Sequence, residues 1–285
     1  MDAFVISVAG VRSPRILYGT AWKKEDTEDL VRKAIVNGFR GIDTACQPKH
    51  YNEFGVGAAV SSSGVARPDL YLQTKFTPVP GQDPARTPYD PQAPLADQVR
   101  QSFAVSLRNL QTDYLDCLVL HSPFPSMEQT LEVWRTLESL VDARAVRQLG
   151  ISNCYRLQQL EALYDAARFK PAVLQNRFYA KTGYDREIRV FCHRHGITYQ
   201  SFWTLTANPQ VLAHRTVQEL AATHRRTPAQ ILFRYLTQNE VVPLTGTRSE
   251  AHMREDLAIF ELELTDAELE AVDALFFSAG AARLV

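Results

Sequence analysis

The sequence lacks the features that mark secreted, membrane-spanning or disulfide-stapled proteins. Its four cysteines are widely spaced and form no Cys-x-x-Cys pair, which predicts free thiols in a reducing compartment. There is no apolar run of about eighteen residues, and no basic start precedes the short apolar piece near the N-terminus. We therefore expect neither a membrane span nor a signal peptide, and a cytoplasmic location is the default.

An excess of charge of either sign is also missing. The formal net charge is -1 at pH 7, whereas a nucleic acid or an acidic membrane would require a basic surface. We expect a small-molecule partner, no nucleic acid, no membrane, and a monomer or weak homo-oligomer. The 285 residues, 45% hydrophobic and 22% charged, suit one globular domain, because an eight-stranded barrel fills such a length alone.

Two stretches look like a dinucleotide-binding motif and a metal-binding motif, but neither has the required spacing. Gly55-Val56-Gly57 lies in a helix-like segment and lacks the third glycine of a dinucleotide fingerprint, so the sequence does not predict a Rossmann fold. The run Cys192 to His195 invites a metal site, but residues two apart on a helix do not face each other. His193 and His195 cannot chelate together there, and we predict no metal.

What the sequence does contain is a series of short apolar runs that end in polar side chains, separated by amphipathic stretches of helical length. This alternation predicts an α/β fold with parallel strands, an eight-stranded (β/α)8 TIM barrel. Because catalytic groups of such barrels gather at the C-terminal ends of different strands, these side chains are expected to meet. They are Asp43, Lys75, His121, Ser152, Asn153, Gln175 and Asn176.

Several motifs in order resemble the aldo-keto reductase family, from about Gly19 to Leu275. They are GFRGIDTA (38–45), Tyr51-Asn52-Glu53 with Val56-Gly57, SLRNLQTDYLDCLVLHSP (106–123), GISNC (150–154) and TPAQILFRYL (227–236). The resemblance implies that residues 1–18 form an N-terminal β-hairpin closing the bottom of the barrel. The residues themselves predict strands at 4–7 and 15–18 flanking a turn at 10–14.

The resemblance implies reduction of an aldehyde or ketone with a catalytic tetrad of Asp43, Tyr51, Lys75 and His121. A carbonyl that accepts hydride develops charge on oxygen, which a proton donor stabilises. Tyrosine has an ordinary pKa of about 10, so we expect Lys75 to favour its phenolate, Asp43 to hold the ammonium and His121 to orient the carbonyl.

The position of the tyrosine departs from the family pattern. Tyr51 touches Asn52 directly, whereas the family has one residue between the two, and His50 occupies the usual tyrosine place. The extra residues 47–49 must bulge to bring Tyr51 inward. We predict Tyr51 as the proton donor, with His50 as the alternative, since either side chain can perform acid–base chemistry.

A nicotinamide cofactor is implied by the same resemblance. Ser152, Asn153 and Gln175 would hold its carboxamide, Phe202 would stack on its ring, and a loop including Thr204 and Leu205 would follow the pyrophosphate. The remaining cofactor candidates are Thr245, Gly246, Thr247, Arg248, His252, Glu255 and Asp256. Arg248 can clamp a phosphate bidentately, which favours NADPH, although NADH is possible.

Four aromatic residues adjoin strand ends and are candidates for an apolar substrate pocket or for core packing: Trp22, Phe76, Phe124 and Trp203. Residues 77–94 hold six prolines, which exclude a helix or central strand and predict a loop that walls or covers the active-site face. Members of the resembled family with longer tails use them to narrow the pocket, so the short tail from Phe276 to Val285 implies either a more open pocket or a proline-rich loop that takes over that task. Two other functions remain possible: a cofactor-binding regulatory or structural barrel, and an NAD-linked alcohol-oxidising dehydrogenase.

Overall fold

Eight parallel strands form a closed barrel in the computed structural model, which describes residues 3–277. Two short antiparallel strands, β1 (Phe4–Ile6) and β2 (Arg12–Pro14), precede it as a hairpin. The barrel strands are β3 (Leu17–Gly19), β4 (Gly41–Asp43), β5 (Tyr71–Phe76), β6 (Leu115–Leu120), β7 (Val146–Ser152), β8 (Val173–Arg177), β9 (Thr198–Phe202) and β10 (Val241–Thr245). Strand β10 pairs with both β9 and β3, so the sheet closes and the predicted barrel with its N-terminal hairpin is confirmed.

Helices surround the barrel, and most of them bury one apolar face against the strands or their neighbours. They are α1 (Thr27–Val36), α2 (Glu53–Ser62), α3 (Leu95–Leu110), α4 (Met127–Asp142), α5 (Leu157–Ala166), α6 (Arg186–Arg194), α7 (Pro209–Leu212), α8 (Arg215–His224), α9 (Pro228–Gln238), α10 (Glu250–Leu257) and α11 (Asp266–Asp273). Helix α9 begins with proline behind a capping box of Thr227 and Gln230, which satisfies backbone N–H groups of its first turn. Within residues 3–277, none of the helices is both long and apolar enough to traverse a bilayer.

The hairpin packs against the N-terminal end of the barrel. Val5 and Val11 contact the apolar layer inside the barrel, and the Ser7 hydroxyl donates a hydrogen bond to Gln148 Oε1. The predicted second hairpin strand at 15–18 is wrong, because β2 pairs instead at 12–14 and residues 17–19 are the first barrel strand. That segment is apolar on both faces, as a strand of a covered parallel sheet must be.

The helix predicted at 211–224 is in fact two helices, α7 and α8. His214 is the N-cap of α8, and its side chain accepts a hydrogen bond from the Thr216 N–H. The apolar spacing continues across the break, so periodicity alone did not reveal it. The other predicted helices differ from the observed ones mainly at their ends, and the helix predicted at 250–260 is α10 followed by a 3-10 turn.

Helix α2 packs so closely on the end of α3 that only glycine fits at position 57. A Cβ there would lie 2.1 Å from the Asn109 carbonyl oxygen and 2.8 Å from Leu110 backbone atoms. Gly57→Ala is expected to lower the free energy of unfolding by about 1–3 kcal/mol, because backbone overlap outweighs the roughly 1 kcal/mol that alanine gains in a helix. Urea unfolding measures the loss.

The matched control for Gly57→Ala is Phe54→Ala, since Phe54 lies on the same helix and is 64% exposed. Its free energy of unfolding should change by about 0.5 kcal/mol or less. Equal stability of Gly57→Ala and the wild-type chain would show that α2 can move away from α3.

Candidate active site

A cavity of about 510 Å³ opens at the C-terminal ends of the barrel strands. Most of the residues that the sequence places at a site line its wall. They are Trp22, Asp43, His50, Tyr51, His121, Ser152, Asn153, Gln175, Phe202, Trp203, Thr204, Leu205, Thr245 and Gly246. Parallel strands explain this convergence, since each strand delivers its last inward-facing side chains to the same end of the barrel.

Beneath the cavity lies a buried ion pair between Asp43 and Lys75. The Lys75 ammonium is 2.8 and 2.7 Å from the two carboxylate oxygens and also donates to the Thr44 carbonyl oxygen at 2.8 Å. Asp43 is 2% exposed and Lys75 1%. Such a pair is stable only when further hydrogen bonds replace the lost water, and these are present around it.

A layer of glutamines supplies those hydrogen bonds. The amide nitrogens of Gln73 and Gln175 donate to Asp43 Oδ1 at 2.7 and 2.9 Å, and both also donate to Gln200 Oε1. All three glutamines are buried inside the barrel. The layer fixes the carboxylate and, through it, the position of the Lys75 ammonium.

Tyr51 reaches the cavity because residues 47–50 fold into a turn. The backbone N–H groups of His50 and Tyr51 both donate to the Gln47 carbonyl oxygen at 3.0 Å. The Lys75 ammonium lies 5.4 Å from the centroid of the Tyr51 ring, and the His121 ring lies 6.1 Å from it. Tyr51 therefore adjoins Lys75 and His121, two of the other three members of the predicted tetrad.

The environment of Tyr51 favours the protonated phenol. Loss of solvation, followed by the negative charge of Asp43, raises the pKa of Tyr51 above its ordinary value of 10.0. This is opposite to the expected effect of Lys75, whose charge is offset by its ion pair with Asp43. The phenol consequently stays protonated at neutral pH, which suits a proton donor.

His50 also lines the cavity but has a different environment. Its ring lies against Trp22 with centroids 3.8 Å apart, and its Nδ1 is enclosed without a hydrogen-bond partner among the described residues. Loss of solvation and the charge of Lys49 lower the pKa of His50. A neutral imidazole is a weaker acid than an imidazolium, so this environment does not favour His50 as donor.

His121 is held in a neutral state by its surroundings. Loss of solvation, then the charges of Lys75 and His50, lower its pKa well below the ordinary 6.5. Its Nδ1 lies 2.6 Å from the Thr77 hydroxyl oxygen, and its carbonyl oxygen accepts a hydrogen bond from Asn153 at 2.9 Å. Thr77 thus anchors the ring and Asn153 anchors the backbone of His121, and the neutral ring carries one proton.

One wall of the cavity fits a nicotinamide cofactor. Ser152, Asn153 and Gln175 are adjacent, with Ser152 Oγ donating to the Gln175 carbonyl oxygen and Asn153 Nδ2 lying 3.2 Å from Ser152 Oγ. Gln175 Oε1 accepts no hydrogen bond within residues 3–277 and is available to a carboxamide. The Phe202 ring lines the same space and offers an aromatic face for stacking.

Five cofactor candidates lie away from the cavity wall: Thr247, Arg248, His252, Glu255 and Asp256. The Arg248 guanidinium donates to Asp26 at 2.6 Å and to the Trp22 carbonyl oxygen at 3.2 Å. Asp256 is buried behind Thr245 and accepts its hydroxyl at 2.7 Å, and burial raises the pKa of Asp256 to about 6. A phosphate clamp by Arg248 therefore requires its release from Asp26.

The four aromatic candidates divide into two pairs. Trp22 and Trp203 stand at the cavity rim, 56% and 49% exposed. Phe76 and Phe124 do not line the cavity. Because Lys75 faces the barrel interior, the next residue on the strand must face outward, and Phe76 packs on Tyr89. Phe124 is partly buried against the outer core.

The proline-rich loop contains two single 3-10 turns, at Val79–Gly81 and Pro84–Arg86. Tyr89 and Gln82 tie it to the Thr77 carbonyl oxygen at 2.7 and 3.2 Å. Residues 78–94 do not line the cavity, so their role as a lid stays a prediction. Most of the short C-terminal tail, residues 278–285, lies outside the described part of the chain.

Four functional candidates were missed by sequence reasoning: Lys23, Gln73, Thr77 and Arg177. Gln73 and Thr77 lie two positions from Lys75, and Arg177 lies two positions from Gln175. Side chains two apart on a strand point the same way, so strand alternation could have identified these three. Lys23 is buried and donates to the Gly246 carbonyl oxygen at 2.7 Å. Burial and the nearby charge of Arg248 lower the pKa of Lys23 to about 8.

A wider depression of about 1180 Å³ lies at the opposite end, beside the hairpin. Its carboxylate Asp116 is already paired with Arg67 and Arg147, and it offers no acid–base constellation like that of the barrel mouth. His193 of α6 lies 2.8 Å from Glu240, while the ring of His195, just after the helix, lies 4.5 Å from that of Tyr164 at a tilt. Across residues 3–277, no three His, Cys, Asp or Glu side chains are arranged to hold a metal ion.

Comparison with known proteins assigns the family. The model of the Aldo/keto reductase family matches residues 15–276. The chain is 34% identical over 250 residues to a glyoxal reductase of Bacillus subtilis (strain 168), covering 88% of this chain and 83% of that protein. It is 29% identical over 252 residues to methylglyoxal reductase DkgA of Yersinia pestis, covering 88% and 84%.

Solved structures agree with this assignment. A crystal structure of an aldo/keto reductase from Brucella melitensis superposes with a TM-score of 0.81 at 28% identity, covering 95% of this chain and 98% of that one. The sequence match and the shared fold both extend over nearly the whole barrel. The chain therefore belongs to the aldo/keto reductase family and is an NAD(P)H-dependent oxidoreductase.

Proposed function

We propose that this protein reduces the carbonyl group of small aldehydes or ketones to an alcohol with NADPH, and that Tyr51 donates the proton. The observation that carries the proposal is the placement of Tyr51 and His121 on one cavity wall, directly above the Asp43–Lys75 pair. The relatives named for glyoxal and methylglyoxal support small dicarbonyl compounds as the first substrates to assay.

The four residues have separate tasks. Tyr51 stays protonated and donates its phenolic proton to the carbonyl oxygen as negative charge develops there. Asp43 holds the Lys75 ammonium beside the phenol, and that positive charge stabilises the phenolate once the proton has left. The raised pKa of Tyr51 favours reduction over alcohol oxidation, since oxidation requires the phenolate as base.

His121 orients the carbonyl group. A neutral imidazole carries one proton, and a hydroxyl hydrogen donated by Thr77 to Nδ1 leaves that proton on Nε2. Nε2–H then donates a hydrogen bond to the substrate oxygen, which aligns it with the Tyr51 hydroxyl. Thr77 acts as a positioning residue in this arrangement.

A nicotinamide cofactor would supply the hydride when bound. Ser152, Asn153 and Gln175 would hold its carboxamide, and Phe202 would offer a face for ring stacking. Gly246 lines the cavity, and the buried Lys23 ammonium bonded to its carbonyl oxygen adds positive charge behind that wall, which suits a phosphate group. We assign the preference for NADPH to Arg248, which exchanges Asp26 for the additional phosphate.

Arg248→Gln should raise the Kd of NADPH by about tenfold or more, because charge-assisted hydrogen bonds to the phosphate are lost. The Kd of NADH should change much less, since that cofactor lacks the phosphate. Quenching of tryptophan fluorescence measures both constants. The matched variant Asp26→Asn, which frees Arg248 from its ion pair, should tighten NADPH instead.

Equal effects of Arg248→Gln on NADPH and NADH would contradict this assignment. In that case Arg248 only anchors the segment around Trp22, and an NAD-linked enzyme becomes the better description. The proposed activity itself is tested by carbonyl-dependent oxidation of NADPH in the wild-type protein, with methylglyoxal and para-nitrobenzaldehyde as substrates.

A further inference from the structure

We infer that Arg177 forms an oxyanion-binding subsite in the active-site cavity, which takes a carboxylate of the substrate or the pyrophosphate of the cofactor. The inference rests on the proposed function, because it concerns the same cavity. Arg177 ends β8, two positions beyond Gln175, so strand alternation directs both side chains to the barrel mouth. Both line the cavity, together with Phe202 and Trp203.

The guanidinium of Arg177 is surrounded by aromatic rings. Its central carbon lies 4.0 Å from the centroid of Trp203, 5.3 Å from Tyr179 and 5.8 Å from Phe202. Cation–π contacts of this kind hold a guanidinium in place and offset part of its desolvation. They provide no hydrogen-bond acceptor for its N–H groups.

No acceptor comes from elsewhere in the described residues. Arg177 Nε is enclosed without a hydrogen-bond partner, and no carboxylate between residues 3 and 277 forms an ion pair with this side chain. Several other arginines are paired, since Arg67 and Arg147 share Asp116 and Arg248 bonds Asp26. Arg189 and Arg234 also have enclosed nitrogens without a partner among the described residues, but neither lines the cavity. Because Nε is enclosed, an oxyanion in the cavity would be held by the terminal Nη atoms, and its negative charge would offset the cost of the partly buried cation.

Oxyanions suit these requirements best. A planar guanidinium donates two parallel hydrogen bonds to a carboxylate or a phosphate, and ring stacking fixes its plane beforehand. Both possible sources of the oxyanion enter the same cavity under the proposed function. An aldehyde that carries a carboxylate would place it on Arg177 while its carbonyl meets Tyr51, whereas the cofactor would place its pyrophosphate there.

Two measurements on Arg177→Gln distinguish the sources. The first is the ratio of kcat/KM for ortho-, meta- and para-carboxybenzaldehyde to that for the matching nitrobenzaldehyde, a neutral substrate of the same shape. The second is the Kd of NADPH from tryptophan fluorescence. Arg177→Lys tests whether charge alone suffices, and Arg156→Gln removes the same charge from an exposed position outside the cavity.

A substrate subsite predicts that the ratio for at least one isomer falls about tenfold or more in Arg177→Gln and partly recovers in Arg177→Lys. A cofactor subsite predicts that the Kd of NADPH rises by a similar factor while the ratios stay the same. Arg156→Gln should alter neither quantity. If neither quantity changes in a folded Arg177→Gln protein, the guanidinium only packs on Trp203 and the inference is overturned.

Failure of the proposed function would be recognised separately. The Kd of NADPH and of the three carboxybenzyl alcohols can be measured without turnover, by fluorescence and by titration calorimetry. The wild-type protein could reduce no aldehyde while Arg177→Gln still binds these ligands more weakly than the wild type. That result would support the subsite and contradict only the proposed reductase function.

Discussion

Replacing Tyr51 by phenylalanine is expected to lower kcat/KM for carbonyl reduction by about a hundredfold to ten-thousandfold, the usual range for removal of a general acid. The ring stays in place beside Lys75 and His121, because only the hydroxyl is removed. Steady-state kinetics with methylglyoxal measures the loss. The Kd of NADPH should stay close to that of the wild-type protein, which shows that the cavity is intact.

His50→Gln is the variant to compare with Tyr51→Phe, because His50 is the alternative proton donor. His50 lines the same cavity and packs on Trp22, so its replacement should reduce kcat/KM to some extent. The loss should be clearly smaller than that of Tyr51→Phe. The opposite order, with Tyr51→Phe active and His50→Gln inactive, would make His50 the proton donor and show that the insertion at 47–49 does not redirect the tyrosine.

Lys75→Met should destabilise the fold by about 3–5 kcal/mol, because it leaves the Asp43 carboxylate buried without its cation. Gln73 and Gln175 still donate to Asp43, but neutral amides do not replace the ammonium at 2.7 and 2.8 Å. Urea unfolding measures the change. The variant should also lose most reductase activity, since nothing then stabilises the Tyr51 phenolate.

The control variants separate the missing charge from the missing volume. Asp43→Asn combined with Lys75→Met removes both charges and should be more stable than Lys75→Met alone. Lys49→Met, at an exposed position in the adjacent turn, should change the free energy of unfolding by about 0.5 kcal/mol or less. A Lys75→Met protein as stable as the wild type would mean that the pair is not enclosed as the structure has it.

Much of the fold follows from the sequence because the barrel repeats one simple pattern. Short apolar runs that end in polar residues gave the strands, and parallel strands bring Asp43, Lys75 and His121 together although 32 residues separate the first two. The hairpin was misplaced because the segment at 15–18 is apolar on both faces and equally suits a barrel strand. The segment at 17–19 pairs with β10 instead, because that pairing closes the barrel, and the two strands are far apart in the sequence.

The details of the site depended on contacts that no local pattern reveals. Arg248 is expected from sequence to be free for a phosphate, but it pairs with Asp26, 222 positions away in the chain. The pKa of Tyr51 is raised rather than lowered because burial removes its solvation and Asp43 adds a negative charge nearby. Phe76 and Arg177 are different cases, since the alternation of inward and outward side chains already implied the direction of each.

The most direct test of the central claim is the oxidation of NADPH by the wild-type protein on addition of methylglyoxal or para-nitrobenzaldehyde. The loss of cofactor absorbance is followed, and the alcohol product is quantified in the same sample. The structure predicts saturable turnover with one alcohol formed for each NADPH consumed. A folded protein that binds NADPH and reduces none of a broad panel of aldehydes and ketones would contradict it, and would identify the chain as a cofactor-binding barrel without catalysis.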